Sequence, residues 1–472
     1  MKHFGLDYGT TTSLVYGYSD NNGLYRVFES LSAVKLNENG NVVETGEKAW
    51  NDPDRTGFVE SPKRGINNLE EHQEMIKALL FKMIECAKMS PESHITLTVP
   101  YSYGVANYGS MLQMLDECLE EKYHRCKPRH IHTLPEPVAA ALFYVFRHLA
   151  ELPAECHMVV CDIGGGTTDM CIIRCVKEDG KLVFSVIEGG NQPSDIIGGN
   201  KFDYEISKKI SFPPGFSSFD KTLFCQTLKC DLSESEVATG YAGDKLIIMT
   251  RPVFEQAIGQ YLQELKKMME AMLDRTKLNV ANGSWYILPI GGSCKIPAIR
   301  RCLEEVFVGA RQTVNDENTI FDSVAQGAAL YSAWSAGALC IEGINEISIE
   351  HHTPHEIQFH TVDGSWQTLV HENAKDGIHN DTIVHIVAND VNFDVEKGTY
   401  TVGVIKLREK KANARPIECK PKKVFSLRGR KPEDITLRLG VEIKNCLIVR
   451  WWIEDCLTGE KQEWTIDTVV KS

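Results

Sequence analysis

The pattern of apolar and polar positions divides the chain into two textures. Phe4-Gly5-Leu6-Asp7-Tyr8 reads as a strand, Gly9-Thr10-Thr11-Thr12 as a turn and Ser13-Leu14-Val15 as the next strand. The same order returns in VVCDIGGGTTDMCII, Val159–Ile173, where a glycine turn stands between Asp162 and Asp169. Helical periodicity marks Gln73–Ala87, Ser110–Lys122, Pro137–Ala150 and, most clearly, Phe254–Leu278, whose Met and Leu stripe reads as core. SWYILPIGGSCKIPAIRRCLEEVF predicts a strand ending at Gly291-Gly292-Ser293 and a helix from about Ile296; Asp322–Ala338 is a small-residue helix built for close packing. Strands alternating with helices up to about residue 338 indicate an α/β architecture. From residue 339 the texture changes: HEIQFHTV, DTIVHIVA, GTYTVGVIKL, DITLRLGVEI, NCLIVRWWIED and KQEWTID are short segments parted by turn residues, an all-β signature over about 350–472. LCIEGINEISI, residues 339–349, reads as the linker, and Lys406–Lys423 as an exposed basic loop.

Two copies of one hairpin, about 155 residues or one domain length apart, suggest two related lobes that face each other. Neither copy is a P-loop or a G-x-G-x-x-G turn entering a helix. Composition adds boundaries. The 472 residues exceed one domain, 43% are hydrophobic, and no run of 18 apolar residues predicts a membrane span. A net charge of −13 argues against general binding to nucleic acid or anionic membrane. Fifteen cysteines without a C-x-x-C, and an N-terminus that enters a strand at once, point to the reducing cytoplasm.

Glycine-turn amides form anion-binding nests, threonine hydroxyls add donors, and an aspartate at each strand end offers hard oxygen to hydrated Mg²⁺. Two such turns face to face would clamp a β/γ-phosphate pair from both sides. Phosphoryl transfer then needs a cation and a water-orienting carboxylate. Lys63 in SPKRG, Glu136 in LPEPVAAAL and Asp169 are the candidates. Taken singly, Lys63 reads equally as a solvated loop lysine and Glu136 as a helix-start acid before Pro137.

The series DYGTTTS, GEKAWNDPDRTGFVESPKRG, TLTVP, LPEPVAAAL, CDIGGGTTD, IIGGNKFD, LPIGGSCKIPAI and DSVAQGAAL resembles, in order, the nucleotide-binding domain of the heat shock protein 70 family, the DnaK-type chaperones. The resemblance implies an actin-like, ribonuclease H-like ATPase domain over 1–338, with lobe I about 1–158, lobe II about 159–321 and a closing helix 322–338. Residues 350–472 resemble the family's β-sandwich peptide-binding domain. By position, it implies that Asp7 and Asp162 hold hydrated Mg²⁺. Thr10, Thr11 and Thr167 contact phosphates with the amides of Gly9, Gly164, Gly165 and Gly166. Lys63 binds the γ-phosphate, while Glu136 and Asp169 orient or activate the attacking water. Gly198, Gly199, Gly291, Gly292 and Ser293 line the sugar and α-phosphate side, with Asp322 nearby.

Several positions depart from the family. Its adenine grip, an acidic–lysine–arginine set plus a later arginine, aligns with Gln226, Lys229, Cys230 and Lys295, so two stacking guanidinium groups are lost. This predicts weaker or less adenine-selective binding. A short first lobe, with one helical segment between Lys63 and TLTVP, predicts a looser hold on Lys63. His132 and Pro135 replace the usual arginine and asparagine before Glu136, which argues against a J-domain co-chaperone. The linker intersperses Glu342, Gly343, Asn345 and Glu346 among its apolar residues, and the sequence stops at Ser472 without the helical lid.

Other features read as structural. His351, His352, His355 and His360 fit no common zinc spacing, adjacent Trp451 and Trp452 point to opposite strand faces with one in the core, and Cys171 and Cys175 read as packing. The expectation is a slowly hydrolysing, ATP/ADP- and Mg²⁺-binding chaperone-like ATPase whose β domain takes a polypeptide client. The alternative is a nucleotide-gated scaffold with one dedicated partner and little hydrolysis. Small-molecule kinase activity on the same fold ranks third.

Overall fold

A computed structural model describes residues 2–66, 69–123, 130–281, 283–312, 317–350, 355–361, 364–371, 374, 379–385, 391–410, 416–419, 422–444 and 447–465. The chain divides into two compact units. The first holds Met1–Arg64, Glu74–Ser102 and Cys118–Ile349; the second holds Gly65–Gln73, Tyr103–Glu117 and Glu350–Ser472.

Two sheets of one topology organise the first unit. In one, the order is Gly23–Leu31, Thr12–Ser19, His3–Tyr8, His94–Val99, His130–Pro135; the first three strands run antiparallel and the last two continue parallel to His3–Tyr8. The other repeats this as Lys181–Ser194, Thr168–Glu178, Glu155–Ile163, Trp285–Ile290, Arg311–Gln312. The hairpin repeat in the sequence is thus the opening of a repeated sheet. In the second sheet Val159, Cys161 and Ile163 enter one core and Met158 and Val160 the other, the period of two that a strand buried on both faces requires.

Helices Glu136–His148 and Glu317–Ser335 pack against each other, and the latter also lies on His3–Tyr8. The expected helix Phe254–Leu278 is two, Arg251–Ala257 and Gly259–Thr276. They part where Ile258 leaves helical geometry (φ −93°, ψ 5°) ahead of Gly259, a weak helix former. Residues 339–349 end in the strand Glu346–Glu350, which lies along Lys181–Ser194 at the sheet edge. The Asn345 amide donates to the Gly180 carbonyl at 2.7 Å, and Ile344 and Ile347 are buried. No helix among the described residues is long and apolar enough to cross a membrane.

Beyond the helical pieces of Gly65–Gln73 and Tyr103–Glu117, the Glu350–Ser472 part of the second unit is built of β-strands. One sheet orders Trp366–Val370, Ile357–His360, Ile405–Glu409, Ile417–Cys419, another His379–His385, Thr436–Lys444, Leu447–Asp455, Lys461–Thr465, and a third joins Val391–Asp394, Thr399–Val402 and Val424–Ser426. Their inward residues, among them Ile357, Tyr400, Phe425, Val441 and Trp451, form one core. Part of the expected loop Lys406–Lys423 is therefore strand, while residues 411–415 and 420–421 lie outside the described set. So do His351 and His352. Both tryptophans are buried: Trp451 enters the core, and Trp452 lies over Gly440, its ring faced by the ammonium of Lys461 at 4.5 Å. Strand alternation does place them on opposite faces, but basic side chains cover the outer ring.

Candidate functional site

The two hairpins bring their aspartates to the ends of the central strands, where open α/β sheets bind ligands. Register pairs Asp7 with Thr98 in the first sheet and Asp162 with Asp169 in the second. Thr98 Oγ1 donates to Asp7 Oδ1 at 3.3 Å. Lys63, on the single helical turn Pro62–Gly65, donates from Nζ to Glu136 Oε1 at 2.8 Å, and both residues are buried. The expected loose hold on Lys63 is not met, because Glu136 at the start of its helix fixes the ammonium.

Electrostatics tie these groups into one site. Burial, then Glu136, push the Asp7 carboxyl up to about 7, while Lys63 and Thr98 pull it back. Asp169 is raised to about 6 by burial and then Glu136, against the Ser102 hydroxyl and Lys63. Asp162 lies well above the usual carboxylate range through burial, then Glu136, Asp169 and Asp7. Burial opposes the Lys63 charge, but Glu136 and Asp7 outweigh it and hold its pKa above the ordinary lysine value. Asp7, Glu136, Asp162 and Asp169 thus surround an ammonium that cannot neutralise them all, and Asp169 Oδ1 is buried without a hydrogen-bond partner. That surplus fits a hard cation. No three His, Cys, Asp or Glu side chains among the described residues converge to ligate one directly, so the donor set suits an ion that keeps its water shell, as Mg²⁺ does.

The phosphate side is a continuous glycine floor. Gly199 and Asn200 donate their amides to the carbonyls of Gly164 and Gly165 at 3.0 and 2.7 Å, which sets the start of helix Gly199–Ser207 on the second turn. Gly198 approaches that turn so closely that a Cβ would lie 2.9 Å from the Gly166 carbonyl carbon. Gly291 takes φ +79°, and a Cβ there would lie 2.5 Å from the Ile163 carbonyl oxygen. Gly292 follows it, and Ser293 Oγ donates to the Gly164 carbonyl at 3.1 Å. From the first lobe, Gly9 accepts from the Ser32 hydroxyl and Thr11 from the Ser32 amide, both at 2.7 Å. Thr11 Oγ1 reaches within 2.6 Å of where a Gly165 Cβ would stand, so the turns meet. Thr10 and Thr167 are half-buried in the two turns.

The adenine-side candidates are less gathered. Lys229 is buried and committed, donating to Asp203 Oδ2 at 2.7 Å and to the Gly199 carbonyl at 3.0 Å. Lys295 places its ammonium 4.9 Å from the Phe321 ring centre. Gln226 is half-buried and Cys230 exposed on helix Ser218–Glu234. Asp322 is buried beneath Tyr16, whose hydroxyl donates to it. Arg55 lies 3.5 Å from the ring centre of Phe219, on the helix that carries Lys229 and Cys230, and 4.5 Å from that of Phe58.

Sequence reasoning missed Arg64, Thr98, Ser102 and Asp203. With its side-chain amide turned so that the nitrogen donates to the Gly165 carbonyl at 3.0 Å, the Asn200 side-chain oxygen accepts from Arg64 Nη2 at 3.2 Å. The signal for Arg64 was its place beside Lys63, and for Thr98 its place at a strand end beside Asp7; nothing local marks Ser102 or Asp203.

Comparison with known proteins agrees with this geometry. Residues 1–211 match the family model for the MreB/Mbl protein and residues 222–404 that for the Hsp70 protein. Chaperone protein DnaK of Mycoplasmopsis agalactiae is 24% identical over 413 residues, covering 79% of this chain and 64% of its own length. Heat shock cognate 70 kDa protein 3 of Dictyostelium discoideum is 24% identical over 379 residues, covering 75% and 57%. The Chaperone protein HscA homolog of Pseudomonas fluorescens is 29% identical over 216 residues, covering 44% and 32%. The chain spans less than two thirds of the length of these relatives. Repeated sheets, paired glycine turns and matches in consecutive segments converge: the chain is similar to the MreB/Mbl protein over its first part and to the Hsp70 proteins beyond it, as a divergent relative of the Hsp70 family.

Proposed function

We propose that this protein binds ATP and ADP with Mg²⁺ between its two lobes, hydrolyses ATP slowly, and uses its β unit to bind extended polypeptide. The observation that carries this reading is the buried Lys63–Glu136 pair among Asp7, Asp162 and Asp169. Asp7 and Asp162 would hold the ion's water shell, and Mg²⁺ would supply neutralisation of β/γ-phosphate charge. Lys63 would bind the γ-phosphate, and the amides of Gly9 and Gly164–Gly166 with Thr10, Thr11 and Thr167 would bind the other phosphate oxygens. Asp169 and Glu136 would orient the attacking water and take its proton. Residues 350–472 would bind a client through strand-edge and pocket contacts.

A second reading, a nucleotide-gated scaffold with one dedicated partner and little hydrolysis, draws on the adenine side, where Lys229 is spent on Asp203 and Cys230 is exposed. Single-turnover ATP hydrolysis by the wild type, Lys63→Ala and Asp169→Asn separates the two. The first reading expects both variants to be slower than the wild type; equal rates in all three would leave the scaffold.

A further inference from the structure

Phe321 is the one exposed phenylalanine among the described residues, with 47% of its surface in solvent. It stands near the start of helix Glu317–Ser335, between Ile320 and Asp322, which are both buried. A phenyl ring gains its stability by leaving water, so a ring held open to solvent contributes little to the fold.

Its place is nevertheless well defined. The Gly291 amide donates to the Ile320 carbonyl at 3.0 Å, which ties the start of this helix to the turn Gly291-Gly292-Ser293. A Cβ on Gly292 would lie 3.1 Å from Phe321 Cε1, so the missing side chain lets the ring edge lie against the turn. The Lys295 ammonium stands 4.9 Å from the ring centre. Lys295 also lines a cleft of about 470 Å³ with Ser233, Glu234, Arg300 and Ile320, within the size range of small-molecule sites. Cys230 is three residues before Ser233 on helix Ser218–Glu234, hence on the same face. Ring, ammonium and cleft therefore adjoin one another on the side of the turn where the base of a nucleotide is expected.

The face of a nucleobase is held either by a guanidinium plane or by an aromatic ring. Cys230 and Lys295 present no such plane. We propose, on the reading that a nucleotide occupies this site, that Phe321 is the platform on which its base stacks. Stacking engages the π-face that every base has and reads no hydrogen-bonding edge. Phe321 thus gives the site affinity for the base without selecting adenine over guanine, and the ligand class is purine nucleotides rather than adenine nucleotides alone.

The test is calorimetric titration of the full chain, with magnesium, by ADP, GDP and ribose 5′-diphosphate, which keeps the sugar and phosphates but lacks the base. The proteins are the wild type, Phe321→Ala and Phe321→Trp, with thermal unfolding in parallel; the ring is exposed, so neither substitution should prevent folding. Phe321→Ala should bind ADP and GDP about fivefold or more weakly than the wild type. Its loss for ribose 5′-diphosphate should be smaller by the same factor, and Phe321→Trp, which keeps a ring, should restore both nucleotides. Equal ADP affinity in the wild type and Phe321→Ala, or an equal loss for the base-free ligand, would overturn the stacking role and leave nucleotide binding standing. A wild type that binds none of the three ligands would overturn both.

Discussion

Lys63 Nζ and Glu136 Oε1 meet at 2.8 Å inside the cleft, with side chains 4% and 11% exposed. A buried pair is costly to break from one side, because the surviving charge stays uncompensated. Lys63→Ala should lower stability by roughly 3–5 kcal/mol as well as hydrolysis. Glu136→Gln keeps the shape and a hydrogen-bond acceptor, so it should slow hydrolysis by about 10²- to 10⁴-fold with a smaller loss of stability. Chemical denaturation alongside single-turnover kinetics distinguishes these effects.

Arg55 over Phe219 ties the first sheet's following segment to helix Ser218–Glu234, which carries the adenine-side candidates Lys229 and Cys230. Phe219→Ala removes a cation–π contact of about 0.5–2 kcal/mol, which corresponds to roughly 2- to 30-fold faster release of bound ADP. Stopped-flow release of a fluorescent ADP analogue measures this, and an unchanged rate would remove this contact from the account.

The resemblance to the Hsp70 family implies that Cys230 and Lys295 stand where arginines would stack on the base. The double substitution Cys230→Arg, Lys295→Arg should tighten ATP binding by about 3- to 30-fold and raise its preference over GTP. Competition titration with both nucleotides gives the answer.

Gly198 leaves no room beside the second turn, since an added Cβ meets backbone 2.9 Å away. Gly198→Ala should displace the Gly164–Gly166 turn and weaken nucleotide binding by at least about tenfold, equivalent to 1.4 kcal/mol. Gly109, where an added Cβ meets nothing within 4 Å, is the control position: Gly109→Ala should leave binding unchanged.

In the second unit Asp455 is fully buried, accepting from Tyr400 at 2.5 Å and from Arg430 Nη2 at 2.5 Å. Burial alone would raise its carboxyl, but Arg430, Tyr400 and the amides of Thr458 and Leu457 hold it at about 2, below the ordinary 3.8. A depressed carboxylate stabilises the fold above its unfolded value and loses that contribution as pH falls from 3.8 towards about 2. The shift corresponds to roughly 2 kcal/mol. Asp455→Asn should therefore be destabilising at pH 7, with the gap to the wild type narrowing across that acid window in pH-dependent unfolding.

The glycine–threonine hairpins were legible because their chemistry is local: an aspartate, a turn and two strands lie within one short segment, and the copy repeats it. The α/β to all-β transition was legible from periodicity. Partners fixed by tertiary structure were not. Nothing near Lys229 announces that Asp203 takes its ammonium, and nothing in LCIEGINEISI shows an edge strand whose amide finds the Gly180 carbonyl. The break at Ile258 was hidden because the apolar stripe continues through it. Strand alternation gave the opposite faces of Trp451 and Trp452 but not the Arg450 and Lys461 side chains that cover the Trp452 ring.

The central claim is that both hairpins clamp a metal-bound nucleotide, and calorimetric titration of ADP with and without magnesium tests it most directly. One molecule of ADP should bind per chain. Removing magnesium or substituting Asp162→Asn should weaken binding by at least about tenfold, a loss of 1.4 kcal/mol or more. Absence of binding, or an affinity indifferent to both magnesium and Asp162, would contradict the account.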